Sequence, residues 1–207
     1  NVLCLTGDSY AGVPKIKQVF DMDGALMVYE ARHLRETGVV HFTGERMTNP
    51  PKPFLGAAIN PFTEPANVPI RRLKQKVAAG VDFIQTQLVF DIKGFECFME
   101  RVVAERIHED VFILAGIPVV TSRAGLAVLP RIPGVHLPQA AMERLERAPD
   151  LAAEGVAFAA ELATAASRIP GVAGVHLMLF GPIHDVLPQI AAALPDESPS
   201  NPTPSCL

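Results

Sequence analysis

From residue 111 to 120 the chain reads Val-Phe-Ile-Leu-Ala-Gly-Ile-Pro-Val-Val, a run with no polar face. A strand with one side in water alternates apolar and polar residues. A strand without that alternation is buried on both sides, as in a parallel sheet covered by helices. Near-continuous apolar runs recur at 2–5, 54–59, 83–90 and 172–180, the third interrupted by polar residues at 85–87. Between them lie stretches at helical spacing. Residues 23–35 predict a helix with Gly38 just past its end. Residues 69–79 predict another, with Pro69 in its first turn, Ile70, Leu73 and Val77 on one face, and Gly80 closing it. Further helices are expected over 93–105, briefly after Thr121, over 150–168 with Asp150 as N-cap, and over 183–193. Residues 41–53 read as a loop, and the Pro- and Ser-rich stretch 195–207 as a disordered tail after a single domain spanning 1–194.

Strands that alternate with helices predict an α/β fold with a parallel sheet. The chain holds about five βα units, whereas a closed (β/α)8 barrel needs eight. The alternatives are an open five-stranded sheet and an incomplete TIM barrel. The chain starts inside a strand and without Met, so the expectation is a barrel fragment cut from something longer.

Composition excludes other classes. With 49% hydrophobic and 19% charged residues in 207, the chain can bury a core. A net charge of −4 argues against a nucleic-acid binder that works through a basic face. The 3 cysteines, Cys4, Cys97 and Cys206, are scattered, which suits a reducing, cytoplasmic setting rather than a disulfide framework or a CxxC metal site. No apolar run reaches the roughly 20 residues that span a bilayer. No HxH, HExxH, P-loop, G-x-G-x-x-G or G-x-S-x-G motif occurs, so neither a metal site nor a serine nucleophile is expected.

In either fold, ligands bind beyond the carboxyl ends of the strands. The residues there are Thr6, Gly7 and Asp8; Asn60 and Pro61; Gln85, Thr86, Gln87 and Asp91; 116–122; and Gly181 and Pro182. Gln85 and Gln87 break an apolar strand and point to the same side. They belong either to an internal hydrogen-bond network or to the site of a polar heterocycle that completes their bonding, since an unpartnered buried amide costs about 1–3 kcal/mol. Asp8 reads as a turn or cap aspartate, or as a site carboxylate. Arg71, Arg72, Lys74 and Lys76 share one helix, either as a solvated basic face or as a diphosphate clamp. His176, inside the last strand, reads as a hydrogen-bonded core residue.

Four blocks come in order: Asn-Val-Leu-Cys-Leu-Thr-Gly-Asp from residue 1, Phe-Leu-Gly-Ala-Ala-Ile-Asn-Pro from 54, Arg-Leu-Lys-Gln-Lys-Val-Ala-Ala-Gly-Val-Asp-Phe-Ile-Gln-Thr-Gln-Leu-Val-Phe-Asp from 72, and Ile-Leu-Ala-Gly-Ile-Pro-Val from 113. Through them the chain, over residues 1 to about 193, resembles the C-terminal two-thirds of the flavin-dependent methylenetetrahydrofolate reductases in their bacterial single-domain form. The resemblance implies a TIM barrel with FAD at its C-terminal face. It also implies an oxidoreductase acting on CH–NH donors, which passes a hydride from NAD(P)H through FAD to 5,10-methylenetetrahydrofolate. The product is 5-methyltetrahydrofolate, used in one-carbon metabolism and methionine supply. Asp8 is implied beside the flavin ring, where a carboxylate would favour a cationic iminium form of the folate. Thr6 and Gly7 would line that ring's edge. Phe20 and Asp21 would meet the ribose and adenine side, Asn60 the flavin, and Arg72 and Lys76 the diphosphate. Gln87 would contact folate and nicotinamide in turn.

There are departures as well. The family's proton-donating glutamate, and a Thr and a His that help hold FAD, belong to strands with no counterpart in these residues. Gly125 and Pro182 stand where some members carry a folate-contacting Gln and Arg. Two alternatives to the reductase remain at this point: an inactive truncated barrel serving as subunit or scaffold, and a flavin-free barrel lyase. A homo-oligomer or a partner subunit is also expected.

Overall fold

Residues 1–6, 21–182 and 186–193 are described by the structure, a computed structural model. Five parallel strands, β1 (Val2–Cys4), β2 (Leu55–Ile59), β3 (Phe83–Leu88), β4 (Phe112–Val120) and β5 (Val172–Phe180), form one sheet in the order β1-β2-β3-β4-β5. Every connection steps one place in the same direction. Crossovers of one hand then deliver all the helices to one face of the sheet. A doubly wound sheet would reverse direction partway. The arrangement is an α/β arc of five strands, an incomplete (β/α)8 barrel.

The helices are α1 (Gly24–Thr37), α2 (Asn67–Ala79), α3 (Ile92–Ala104), α4 (Arg123–Val128), α5 (Gln139–Arg147), α6 (Leu151–Ser167) and α7 (Val186–Ala193). Short polar side chains start α1, α3, α4 and α6. Asp23 accepts from Leu26 N–H (2.8 Å), Asp91 from Gly94 N–H (3.1 Å), Ser122 from Gly125 N–H (3.0 Å) and Asp150 from Ala153 N–H (3.1 Å). Gly38 and Gly80 close α1 and α2 in the left-handed conformation, as expected. The sequence reading placed no helix over 139–147, so α5 is an addition to it. The expected boundary at 194 and tail at 195–207 lie outside the described residues.

The core forms between the sheet and the helices. Ala57, Ile84, Ile113, Ile117 and Val119 from the strands meet Val28, Leu73, Phe95, Met99, Ala159 and Ala163 from the helices, all of them buried. Each large side chain removed from water contributes about 1.5–3 kcal/mol. A smaller cluster around Leu88, Phe90, Leu126, Leu129 and Leu145 lies beneath α4 and α5. There Arg144 stacks over the Phe158 ring at 4.4 Å and bonds Glu154 and Glu161, fastening α5 to α6. No helix among the described residues is long and apolar enough to cross a membrane.

Two features of the inner face position the site. At the strands' starts, Phe54 stacks on Phe83 with centroids 5.5 Å apart and lies tilted against Phe112 at 6.1 Å, and the Phe83 ring fills the space left by the missing side chain of Gly56. Midway, the β3–β4 register slips between Gln85 and Leu88, so β3 carries an extra residue there. Thr86 fills the gap. Its hydroxyl accepts from Gly116 N–H (2.8 Å) and donates to the Gln87 carbonyl (2.9 Å). A Cβ at position 116 would lie 2.5 Å from the Thr86 carbonyl oxygen, so this close approach requires glycine.

Candidate functional site

The carboxyl half of the inner face holds an open cavity of about 300 Å³. Its walls are Leu3 and Leu5 from β1 and its continuation, Ala58 and Asn60 at the end of β2, Gln85 and Gln87 on β3, and His176 and Met178 on β5. Most of this lining is hydrocarbon, so the few polar groups set what can be recognised.

Asn60 and Gln87 are tied to one turn. Asn60 Nδ2 donates to the Gly134 carbonyl (2.8 Å) and Gln87 Nε2 to the Pro133 carbonyl (3.1 Å). Their oxygens accept from Phe62 N–H (3.0 Å) and Leu88 N–H (3.0 Å). Gly134 has φ +76°, and a Cβ there would stand 2.6 Å from Asn60 Nδ2. This turn follows α4, and its two amide bonds hold it at the cavity's rim. Gln87 therefore takes part in an internal network, the first of the two readings open from sequence, and it also lines the cavity.

Gln85 differs. It is half-buried on the same wall and makes no side-chain hydrogen bond among the described residues. His176 faces the same cavity from β5. The expectation of a hydrogen-bonded core histidine is corrected: the ring is half-buried, facing the cavity, and has no hydrogen bond among the described residues. β5 is the outermost strand of the arc, and the β4 residue beside His176 is Gly116, which offers no side chain to cover it. Desolvation lowers the pKa of His176 below the ordinary imidazole value. The folded state then favours the neutral ring. The stability this contributes is complete above the ordinary imidazole pKa and is lost as pH falls below it. A proton NMR titration of the purified protein is expected to place the His176 midpoint below that of a free histidine; a midpoint at or above it contradicts this environment.

The cationic helix resolves into two kinds of residue. Arg71, Arg72 and Lys74 are exposed, with Lys74 paired to Glu105. Lys76 is half-buried and points between β1 and the start of α1, where a Cβ on Gly24 would meet its Nζ at 3.0 Å. Burial lowers its pKa; Asp23 raises it, and Arg72 lowers it further. Among the described residues Lys76 has no ion-pair partner within 4.0 Å. This is a half-buried cation near the start of α1, where the Asp23 carboxylate caps the helix and is the nearest opposing charge. Arg72 and Lys76 stand on the helix side of the sheet and do not join the inner cavity.

Thr6 and Asp21 are exposed, flanking the segment between β1 and α1. Gly7, Asp8 and Phe20 fall outside the described residues. No group of three or more His, Cys, Asp or Glu among the described residues is placed to hold a metal ion.

A search of curated proteins returned no match. One solved structure that the chain resembles is an uncharacterised protein from Clostridium thermocellum that binds two copies of 5-methyl-5,6,7,8-tetrahydrofolic acid. The two share 15% identity with a TM-score of 0.54, over 68% of this chain and 52% of that one. The likeness is one of fold, and the chain spans about half of that protein's length. The family model described as Methylenetetrahydrofolate reductase matches residues 1–184. With that match over most of its length, on a sheet wound as a barrel arc, the chain belongs to the methylenetetrahydrofolate reductase family.

Proposed function

We propose that this chain forms the folate- and flavin-binding portion of an FAD-dependent reductase, which converts 5,10-methylenetetrahydrofolate to 5-methyltetrahydrofolate with NAD(P)H as hydride source. The observation that carries the reading is the convergence of Asn60, Gln85, Gln87 and His176 on one cavity within an otherwise apolar inner face. A flat, largely apolar ring with a polar edge matches such a lining. The folate-binding structure of similar fold lends support.

Bound FAD would supply the two-electron chemistry, accepting a hydride from one partner and yielding it to the other. The chain's own residues would do the rest. Lys76, with Arg72 one turn before it, would balance the diphosphate charge. Asn60, Thr6 and Gly7 would border the flavin, and Phe20 and Asp21 its ribose and adenine side. Gln87, held at its oxygen by the Leu88 N–H and at its nitrogen by the Pro133 carbonyl, would offer its remaining Nε2–H to whichever substrate occupies the cavity. Asp8 would place a negative charge where the folate becomes cationic, lowering the energy of that form. NAD(P)H and folate would occupy the same face in turn.

The test is anaerobic spectroscopy on the purified full-length protein. The expected result is a visible flavin absorbance that bleaches with NADH or NADPH and returns on adding methylenetetrahydrofolate. A protein that takes up no flavin and binds no reduced folate overturns the reading.

A further inference from the structure

We propose that Gln85 and His176 are specificity-determining residues that grip the pyrimidine-like edge of the ring bound in the inner cavity, an edge on which N–H and C=O groups alternate. The inference rests on the reading above and deepens it. It concerns two residues to which the family resemblance assigned no role.

The first observation is an imbalance among the polar groups of the wall. Asn60 and Gln87 both spend their amides on the 133–134 turn and on neighbouring backbone. Gln85 and His176 have nothing to bond among the described residues, although both line the cavity and both are half-buried. Among the described residues neither side chain makes a bond that holds the fold, and the polar atoms of both still reach the cavity's solvent. Both are therefore free to exchange water for a ligand.

The second observation is spacing. Gln85 pairs in register with Leu114 on β4, and His176 with Gly116 on the same strand. The two side chains thus rise from strands separated by one strand, about 10 Å apart across the sheet. His176 also stands two residues further along the strands, so the two backbones are about 12 Å apart, a span that both side chains can bridge to one flat ring. On β4 the Leu114 side chain lies beside Gln85, while Gly116 leaves the space beside His176 open. An amide and a neutral imidazole each offer one donor face and one acceptor face. An edge of alternating N–H and C=O groups satisfies both. A flavin and a pterin share this edge, so the chemistry is common to the two and only measurement separates them.

The experiment compares binding of FAD and of 5-methyltetrahydrofolate, by equilibrium dialysis, to the wild-type protein and to Gln85→Met, His176→Leu and His176→Gln, with a thermal melt of each. Gln85→Met and His176→Leu are expected to weaken one probe by about tenfold or more, without lowering the melting midpoint. His176→Gln keeps a donor and an acceptor and is expected to restore most of the binding. Loss for FAD alone assigns the flavin edge, and loss for the folate alone the pterin edge. Unchanged affinity for both probes in Gln85→Met and His176→Leu overturns the inference while leaving the proposed function standing. A lowered melting midpoint in Gln85→Met, or failure to fold, shows that the amide is structural and also overturns it. A wild-type protein that binds neither probe overturns both.

Discussion

Gly155→Ala is expected to destabilise the protein by about 2 kcal/mol or more, against the direction that helix propensity predicts. Gly155 lies in the first half of α6, where replacing glycine by alanine ordinarily gains up to about 1 kcal/mol. Here the added methyl would project straight into the carbonyl oxygen of Val120, at the end of β4. Neither side yields easily: one atom belongs to the sheet backbone and the other to a helix. Relief requires α6 to move away from β4, which loosens Val156, Ala159 and Ala163 against the core. Overpacking of this kind costs about 1–3 kcal/mol and at times more. The clash outweighs the propensity. Urea denaturation of the wild type and the variant measures the difference; a variant as stable as the wild type would mean that α6 does not sit against Val120.

Lys76→Met is expected to lower flavin affinity by about 10- to 100-fold, the range of a lost charge-assisted hydrogen bond, while leaving thermal stability unchanged or raised. Met keeps the length and hydrocarbon of the lysine stem and removes the charge. The ammonium is half-buried, with its pKa lowered first by burial, so its loss relieves desolvation in the unliganded protein. The same substitution at Lys74, which is exposed and paired with Glu105, is expected to leave flavin affinity within twofold of the wild type. Flavin fluorescence titration reads both. Equal effects of the two variants would return the helix to a solvated basic face.

These two cases show which features can be read from a linear chain. The strands were legible because burial on both faces writes itself as an uninterrupted apolar run, as in 111–120. Helix ends were legible where a local residue decides them, as Asp150 and Gly38 do. α5 escaped notice because it has few apolar residues, chiefly Ala141, Met142 and Leu145, and follows Pro138 with no capping side chain. Asn60 and Gln87 were legible as polar residues at strand ends. Their attachment to the 133–134 turn was not, because those bonds join residues 74 and 46 positions apart. The four cations of α2 looked alike in sequence. Only the packing of α1 against α2 selects Lys76 as the one turned inward. The exposure of His176 was not legible because its neighbour across the sheet, Gly116, is far away in sequence and carries no side chain to cover it.

The clustered rings of Phe54, Phe83 and Phe112 bear on how deep a guest could sink. Phe83 occupies the layer directly beneath Gln85 on the same strand, and its ring lies over Gly56. On the function proposed above, a planar molecule entering from the carboxyl ends would find its depth limited by that hydrocarbon layer. The height of the layer would set which of its atoms come level with the amides above. Part of the selection among guests would then fall to a residue outside the cavity lining.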